Sequence, residues 1–280
     1  MKITNFKNKF NYKYFIPFVF MVYVIIFAFC DTYLIPFKTI SGPAGAGLEP
    51  GTKPGIAQVY GFWEPWDKLS LIFYFTIHSN IFVMVYMFLR AFGLIDPRKG
   101  KHAKRFQMIV ATNIFVTFLV YWTILAPIDM IWHTPAKIID NLQLHFIAPL
   151  IMFVAFVLET SRRKVNKENI KLPYKELLFA LIFPLIWLIM AIVLYYATRS
   201  KLLITFKYND GTKHAFIYTF GIAIYPFLAF DIVPVWLPIV SLVAVCLLVT
   251  IVSSLIVVAS NHDSWIYKVN DKIKNIFKRQ

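Results

Sequence analysis

The run LSLIFYFTIHSNIFVMVYMFL (Leu69–Leu89) decides how the rest of the chain is read. It holds no Asp, Glu, Lys or Arg. Its length meets the roughly 20 apolar residues that a bilayer-spanning helix needs. Its first half nonetheless carries Thr76, His78, Ser79 and Asn80. Polar groups at membrane depth are costly, so they face other helices or a water-filled cavity. On a helix Thr76 and Asn80 lie one turn apart on one face, with Ser79 beside them. His78 points about 200° away from Thr76. The question is which other segment brings a partner to that face.

The chain as a whole supports a membrane reading. Of its 280 residues 59% are hydrophobic, 28 are Phe, and the mean hydropathy is +0.64. Soluble domains are less apolar. Six runs qualify as spans: Tyr14–Leu34, Leu69–Leu89, Phe106–Ala126, Leu142–Leu158, Leu177–Ala197 and Leu237–Ala259. The expected architecture is all-α, one membrane domain over residues 1–280 with six transmembrane helices. Pro36–Asp67 is too rich in Gly and Pro for a helix, and Trp63 and Trp66 at its end suit a bilayer interface. Ala215–Phe230 is moderately apolar and reads as a segment that dips into the membrane or lies on it. Cys30 and Cys246 lie in apolar runs and read as small hydrophobes. Phe29 before Cys30 is too large for a lipoprotein processing site, so the first run reads as a retained anchor.

Charge orients the spans. The formal net charge is +15. With a cytoplasmic N-terminus, the four inside segments hold 21 of the 29 Lys and Arg and all of the net positive charge. The outside segments, counted with Asp31 at the outer end of the first run, balance to zero. Positive residues gather on the cytoplasmic side, so the pattern predicts N-in/C-in topology in the cell membrane. It also removes nucleic acid as a partner, because the basic surplus is accounted for by topology and by attraction to anionic lipid.

His145 in the fourth run is the partner this topology offers Thr76. The second and fourth spans run in the same direction, from outside to inside. At about 1.5 Å per residue, Thr76 lies ~10 Å and His145 ~5 Å from the outer ends of their runs. Taken singly, a Thr in a spanning helix usually bonds its own backbone one turn back. A lone His near a helix end usually meets a headgroup or a loop carbonyl. As a pair they make a nucleophile and a base: a hydroxyl is a weak nucleophile until a base takes its proton. Asn113, with Thr112 and Thr117 on one side of the third run, adds polar wall to the same cavity as Ser79 and Asn80. Pro149, one turn after His145, frees a backbone carbonyl and can kink the helix. His133, His214 and His262 lack the close spacing of a metal site. No Gly-x-Ser-x-Gly elbow, phosphate loop or dinucleotide fingerprint is present. No metal and no cofactor are expected.

The order of motifs resembles the androgen-induced-gene-like six-span membrane proteins and their bacterial relatives. The shared features are Phe75-Thr76 with Ser79-Asn80, then Asn141-x-x-x-His145-x-x-x-Pro149, then Glu159, Pro173 and Trp187, and last Tyr225-Pro226-Phe227-Leu228. The resemblance implies an intramembrane threonine hydrolase of fatty-acid esters, with the catalytic pair on Thr76 and His145. It also brings Asn141 and Tyr225 to the substrate site. The outer loop Pro36–Asp67 and the Thr198–Trp236 segment depart from the animal proteins. The Lys-, Asn-, Ile- and Phe-rich composition suggests a bacterium, so the animal substrate does not carry over.

The sequence thus leads to a lipid- or fatty-acid-ester hydrolase acting from the outer leaflet half. Thr76 and His145 would be catalytic, and Ser79, Asn80, Asn113, Asn141 and Tyr225 would bind substrate. The alternative is a non-enzymatic lipid- or small-molecule-binding protein or a transporter. The expected partners are membrane lipids and a lipid ester. The oligomeric state is left open.

Overall fold

The computed structural model describes residues 10–34, 71–128, 135–161, 172–199, 202–207, 213–218, 224–225, 228, 230 and 234–261. Its helices are α1 (Tyr12–Leu34), α2 (Phe75–Ala91), α3 (Lys101–Val120), α4 (Ala126–Ile128), α5 (Pro135–Leu142), α6 (Ala148–Ser161), α7 (Leu177–Thr198) and α8 (Trp236–Asn261). A π-helical turn at Tyr121–Leu125 joins α3 to α4, and a second at Gln143–Ile147 joins α5 to α6. Five stretches are long and apolar enough to cross a membrane: Tyr12–Cys30, Lys101–Leu125, Ile138–Glu159, Tyr174–Thr198 and Trp236–Ser260. Helix α2 is a sixth, shorter apolar helix. Large apolar side chains such as Leu178, Ile189, Val243 and Leu255 are exposed. Helices that show apolar residues outward as well as inward belong in lipid. The chain is an all-α, multi-pass membrane protein.

The chain divides into two compact units. The first comprises Met1–Val24, Ser79–Ile182 and Leu248–Gln280. In it α3 packs on α6 and on the second π turn. The buried Ala111, Ala148 and Ala155 let backbones approach. Met87, Met108, Ile114 and Met152 fill the core. Helix α2 ends at Ala91 and is closed by Gly93, whose φ of 64° is the left-handed cap conformation that glycine adopts without strain. The Gly93 amide reaches Arg90 O at 3.2 Å and the Leu94 amide reaches Leu89 O at 2.9 Å.

The second unit comprises Ile25–His78 and Phe183–Leu247. Aromatic rings gather around the start of α2. Phe75 meets Phe183 at 5.3 Å and Trp187 at 5.6 Å, and Tyr225 meets Tyr74 edge-on at 5.7 Å. The unit also holds a two-stranded antiparallel ribbon, β1 (Leu202–Lys207) with β2 (Lys213–Tyr218), paired from Leu202↔Tyr218 to Lys207↔Lys213.

Three expectations change. Residues 213–218 form a strand, so the proposed membrane-dipping segment Ala215–Phe230 begins inside a hairpin. The connecting Asn209-Asp210-Gly211 was the available turn signal. The second helix starts at Phe75, not Leu69. The Phe73 carbonyl is taken by the Trp187 indole N–H at 2.8 Å, and 71–73 is a 3₁₀ turn. Thr76 therefore sits in the first turn of α2 and not two turns into a span. The third and fourth helices begin earlier than their apolar runs, at Lys101 and Pro135, because polar residues at a membrane helix end can reach water or charged partners. The loop Pro36–Asp67 with Trp63 and Trp66 lies outside the described residues.

Candidate functional site

Both π turns have the same local cause. Tyr121–Leu125 is followed by Ala126-Pro127, and Gln143–Ile147 by Ala148-Pro149. A proline ring inside a helix clashes with the carbonyl four residues back and cannot donate to it. Widening the preceding turn relieves the clash. The amides of Ala126 and Ala148 accordingly bond five residues back, to Tyr121 O and Gln143 O. Pro149 has no N–H for the carbonyls of Leu144 and His145. Side chains supply both: Asn80 Nδ2 donates to Leu144 O at 3.2 Å, and Trp122 Nε1 donates to His145 O at 3.1 Å. The carbonyl that Pro149 was expected to free is thus used to fasten the His145 backbone.

The His145 ring is equally constrained. It is buried and lies on the Tyr121 ring, centroids 3.5 Å apart and planes 7° from parallel. Its Nδ1 is buried and has no hydrogen-bond partner among the described residues. Gln143 Oε1, Thr112 Oγ1 and Asn113 Oδ1 share that condition. Next to this level α2 and α3 are tied by hydroxyls. Thr117 Oγ1 donates to Asn113 O at 3.0 Å and shares a 2.7 Å hydrogen bond with Ser79 Oγ. Asn113 Nδ2 donates to Ile109 O in its own helix at 2.8 Å.

Thr76 is placed by a different partner from the one its helix would offer. The Tyr225 phenolic oxygen shares a hydrogen bond with the Thr76 side chain and accepts from the backbone N–H groups of Phe75 and Thr76. Those amides belong to the first turn of α2, where no carbonyl of the helix can reach them. Tyr225 is therefore a side-chain cap for α2 and a hydrogen-bond partner of the Thr76 hydroxyl. Thr76 is 7% exposed and Tyr225 8%.

The strongest polar constellation was not singled out as a site in the sequence. Glu159 on α6 is 4% exposed. Its carboxylate accepts from Tyr14 at 2.6 Å, from Arg90 Nε and Gln107 Nε2 at 2.5 Å each, and from Tyr86. Helices α1, α2, α3 and α6 each contribute. Arg90 also donates to Ile95 O at 2.7 Å and lies over the Tyr14 ring at 4.7 Å. With donors from three helices directed at one carboxylate, the cluster is a completed tie between helices and offers little to a ligand. A second buried carboxylate, Glu176, is held by Arg105 and by Lys101 at 3.1 Å.

Of the residues expected at the site, Ser79, Asn80, Asn113, Asn141 and His145 belong to the first unit, and Thr76 and Tyr225 to the second. Asn141 is half-buried on α5. His78 is packed edge-on against Phe183 at 5.8 Å. Among the described residues no group of three or more His, Cys, Asp or Glu could hold a metal ion. Sequence reasoning missed Tyr121 and Trp122. The signal available was the repeated Ala-Pro pair one turn after an aromatic or imidazole side chain. No family model, no curated protein and no solved structure matches the chain.

Proposed function

We propose that this chain is a six-span, N-in/C-in protein of the bacterial cell membrane that hydrolyses lipid or fatty-acid esters in the outer leaflet half. Thr76 is the nucleophile and His145 the general base. The reading is supported chiefly by His145: its backbone is fastened by the Trp122 indole and its ring by Tyr121, while its buried Nδ1 carries no hydrogen bond among the described residues. A buried polar atom without a partner calls for an explanation, and a catalytic role is one of the few. The resemblance to the threonine lipid hydrolases supports the same pair.

In the proposed reaction the Thr76 hydroxyl adds to the ester carbonyl as His145 takes its proton. The imidazolium then returns that proton to the departing alcohol, leaving an acyl-threonine. Water, deprotonated by His145, adds to the acyl group, and Thr76 leaves with the proton. Asn80 follows Thr76 by one turn of α2; one of its amide protons is used by Leu144 O, and in this reading the other donates to the carbonyl oxygen. Tyr225 holds the Thr76 hydroxyl before attack. No metal or cofactor enters.

A fluorophosphonate probe applied to the purified protein tests this. Covalent label mapped to Thr76, lost in Thr76→Ala and in His145→Ala, is the expected result. Absence of label from the wild type, together with lipid binding that neither substitution changes, would establish the binding-protein alternative instead.

A further inference from the structure

We propose that Tyr121 is the positioning residue for His145, its ring a face that favours the protonated imidazole over the neutral one. The inference rests on the proposed general-base role for its mechanistic meaning, but the geometry stands without it. The two ring centroids are 3.5 Å apart with planes 7° from parallel. That separation is itself about the closest approach of two carbon layers, so the rings overlap with almost no lateral offset. Two neutral aromatic rings avoid this arrangement, because each presents a negative face to the other; they prefer offset or edge-on packing. Neighbouring pairs in the same unit obey that preference: Tyr121 and Trp122 meet at 88°, Phe115 and Phe153 at 61°.

The preference reverses when one ring is a cation. A positive group within about 6 Å of a ring face is attracted to it, most strongly where water is excluded. Tyr121 and His145 are 3% and 6% exposed. The stack is therefore poor for the resting imidazole and good for the imidazolium that forms when His145 takes a proton. Interactions that strengthen as the reaction proceeds are the ones that accelerate it.

The backbone enforces the stack. Tyr121 opens one π turn and His145 is central in the other. The residue after Tyr121 ties the two turns together, Trp122 Nε1 donating to His145 O at 3.1 Å. Single π turns inside α-helices are often found at functional sites. Here each arises from an Ala-Pro pair, and together they hold two rings face to face.

The test uses the full chain in lipid nanodiscs with ¹⁵N-histidine, His145 being assigned by its loss in His145→Gln. At one acidic pH where both forms of the ring are visible, the ratio of doubly to singly protonated His145 is compared. It should fall about 10-fold in Tyr121→Leu and stay unchanged in Tyr121→Phe, which keeps the ring face. Tyr121→Met, similar in length and without a ring, replaces the leucine variant if that one does not fold. In ester turnover the ring-less variant should lose about 10-fold in kcat with KM unchanged, and Tyr121→Phe should retain wild-type kcat. Equal protonation ratios in all variants overturn the inference whatever the ester assay shows. A wild type without turnover but with the expected ratio change removes the hydrolase reading alone and leaves the role of Tyr121 standing.

Discussion

Replacing Glu159 by Leu should be among the most destabilising single changes in the first unit. The carboxylate accepts from Tyr14, Tyr86, Arg90 and Gln107. Glu159 and Arg90 are 4% and 5% exposed, so water cannot take over for either. Removing one member of a buried ion pair costs ~3–5 kcal/mol, because a charge is left in low dielectric. Asp96 lies 3.8 Å from Arg90 and offsets a little of this. The orphaned hydroxyls and amide add up to ~1–3 kcal/mol for each group that finds no new partner. Losses within one network are not additive, so the expected total is about 5 kcal/mol. Against a typical stability of ~5–15 kcal/mol this is a large share. Glu159→Gln keeps the shape and loses the charge, and should cost about 3 kcal/mol. The Arg90→Met/Glu159→Leu double variant removes both charges and should recover about half of the single-variant loss. SDS-titration unfolding in mixed micelles, followed by tryptophan fluorescence, measures all of these. A loss below ~1 kcal/mol for Glu159→Leu would refute the reasoning. So would a double variant as unstable as the sum of its parts.

Tyr225→Phe should cost ~1 kcal/mol, the usual value of a lost helix cap, and speed amide exchange at Phe75 and Thr76; unchanged exchange there would contradict the capping role. Asp96 lies in the loop after α2, where burial raises its pKa but the side-chain and backbone hydrogen bonds from Arg98 outweigh this and hold it below the ordinary value. A carboxylate with a depressed folded pKa stabilises above its unfolded pKa, and that contribution fades as pH falls through the folded value. Melting temperatures between pH 6 and pH 3 should therefore drop less steeply in Asp96→Asn than in the wild type. A cysteine introduced at Ser161 should react with an impermeant maleimide only after the cells are opened, since Arg162-Arg163-Lys164 follows it; labelling of intact cells would invert the topology.

The membrane class was legible because it depends on composition and run length, which neighbours in space cannot change. The apolar runs ending at Leu34, Ala197 and Ala259 became α1, α7 and α8 within two residues at either end. The polar residues Ser79, Asn80 and Asn113 were legible as inward-facing, because lipid leaves them no other option. The start of α2 was not legible. It depends on Trp187 reaching Phe73 O and on Tyr225 reaching the first-turn amides, contacts across more than a hundred residues of chain.

The Glu159 tie shows the same division. In the sequence Glu159 stood out only as a motif residue, and Arg90 was one of many basic residues. Only the packing of α1, α2, α3 and α6 turned them inward onto Tyr14, Tyr86 and Gln107. What the sequence determined by itself is local: hydrophobic run length and the side on which positive charge accumulates. What only the tertiary structure decided is which buried polar groups meet. His145 was chosen from the sequence as a base, but its neighbour Tyr121 lies more than twenty residues away on another helix. Face-to-face contact between such rings is set by the register of two helices in three dimensions, which no periodicity along one chain encodes.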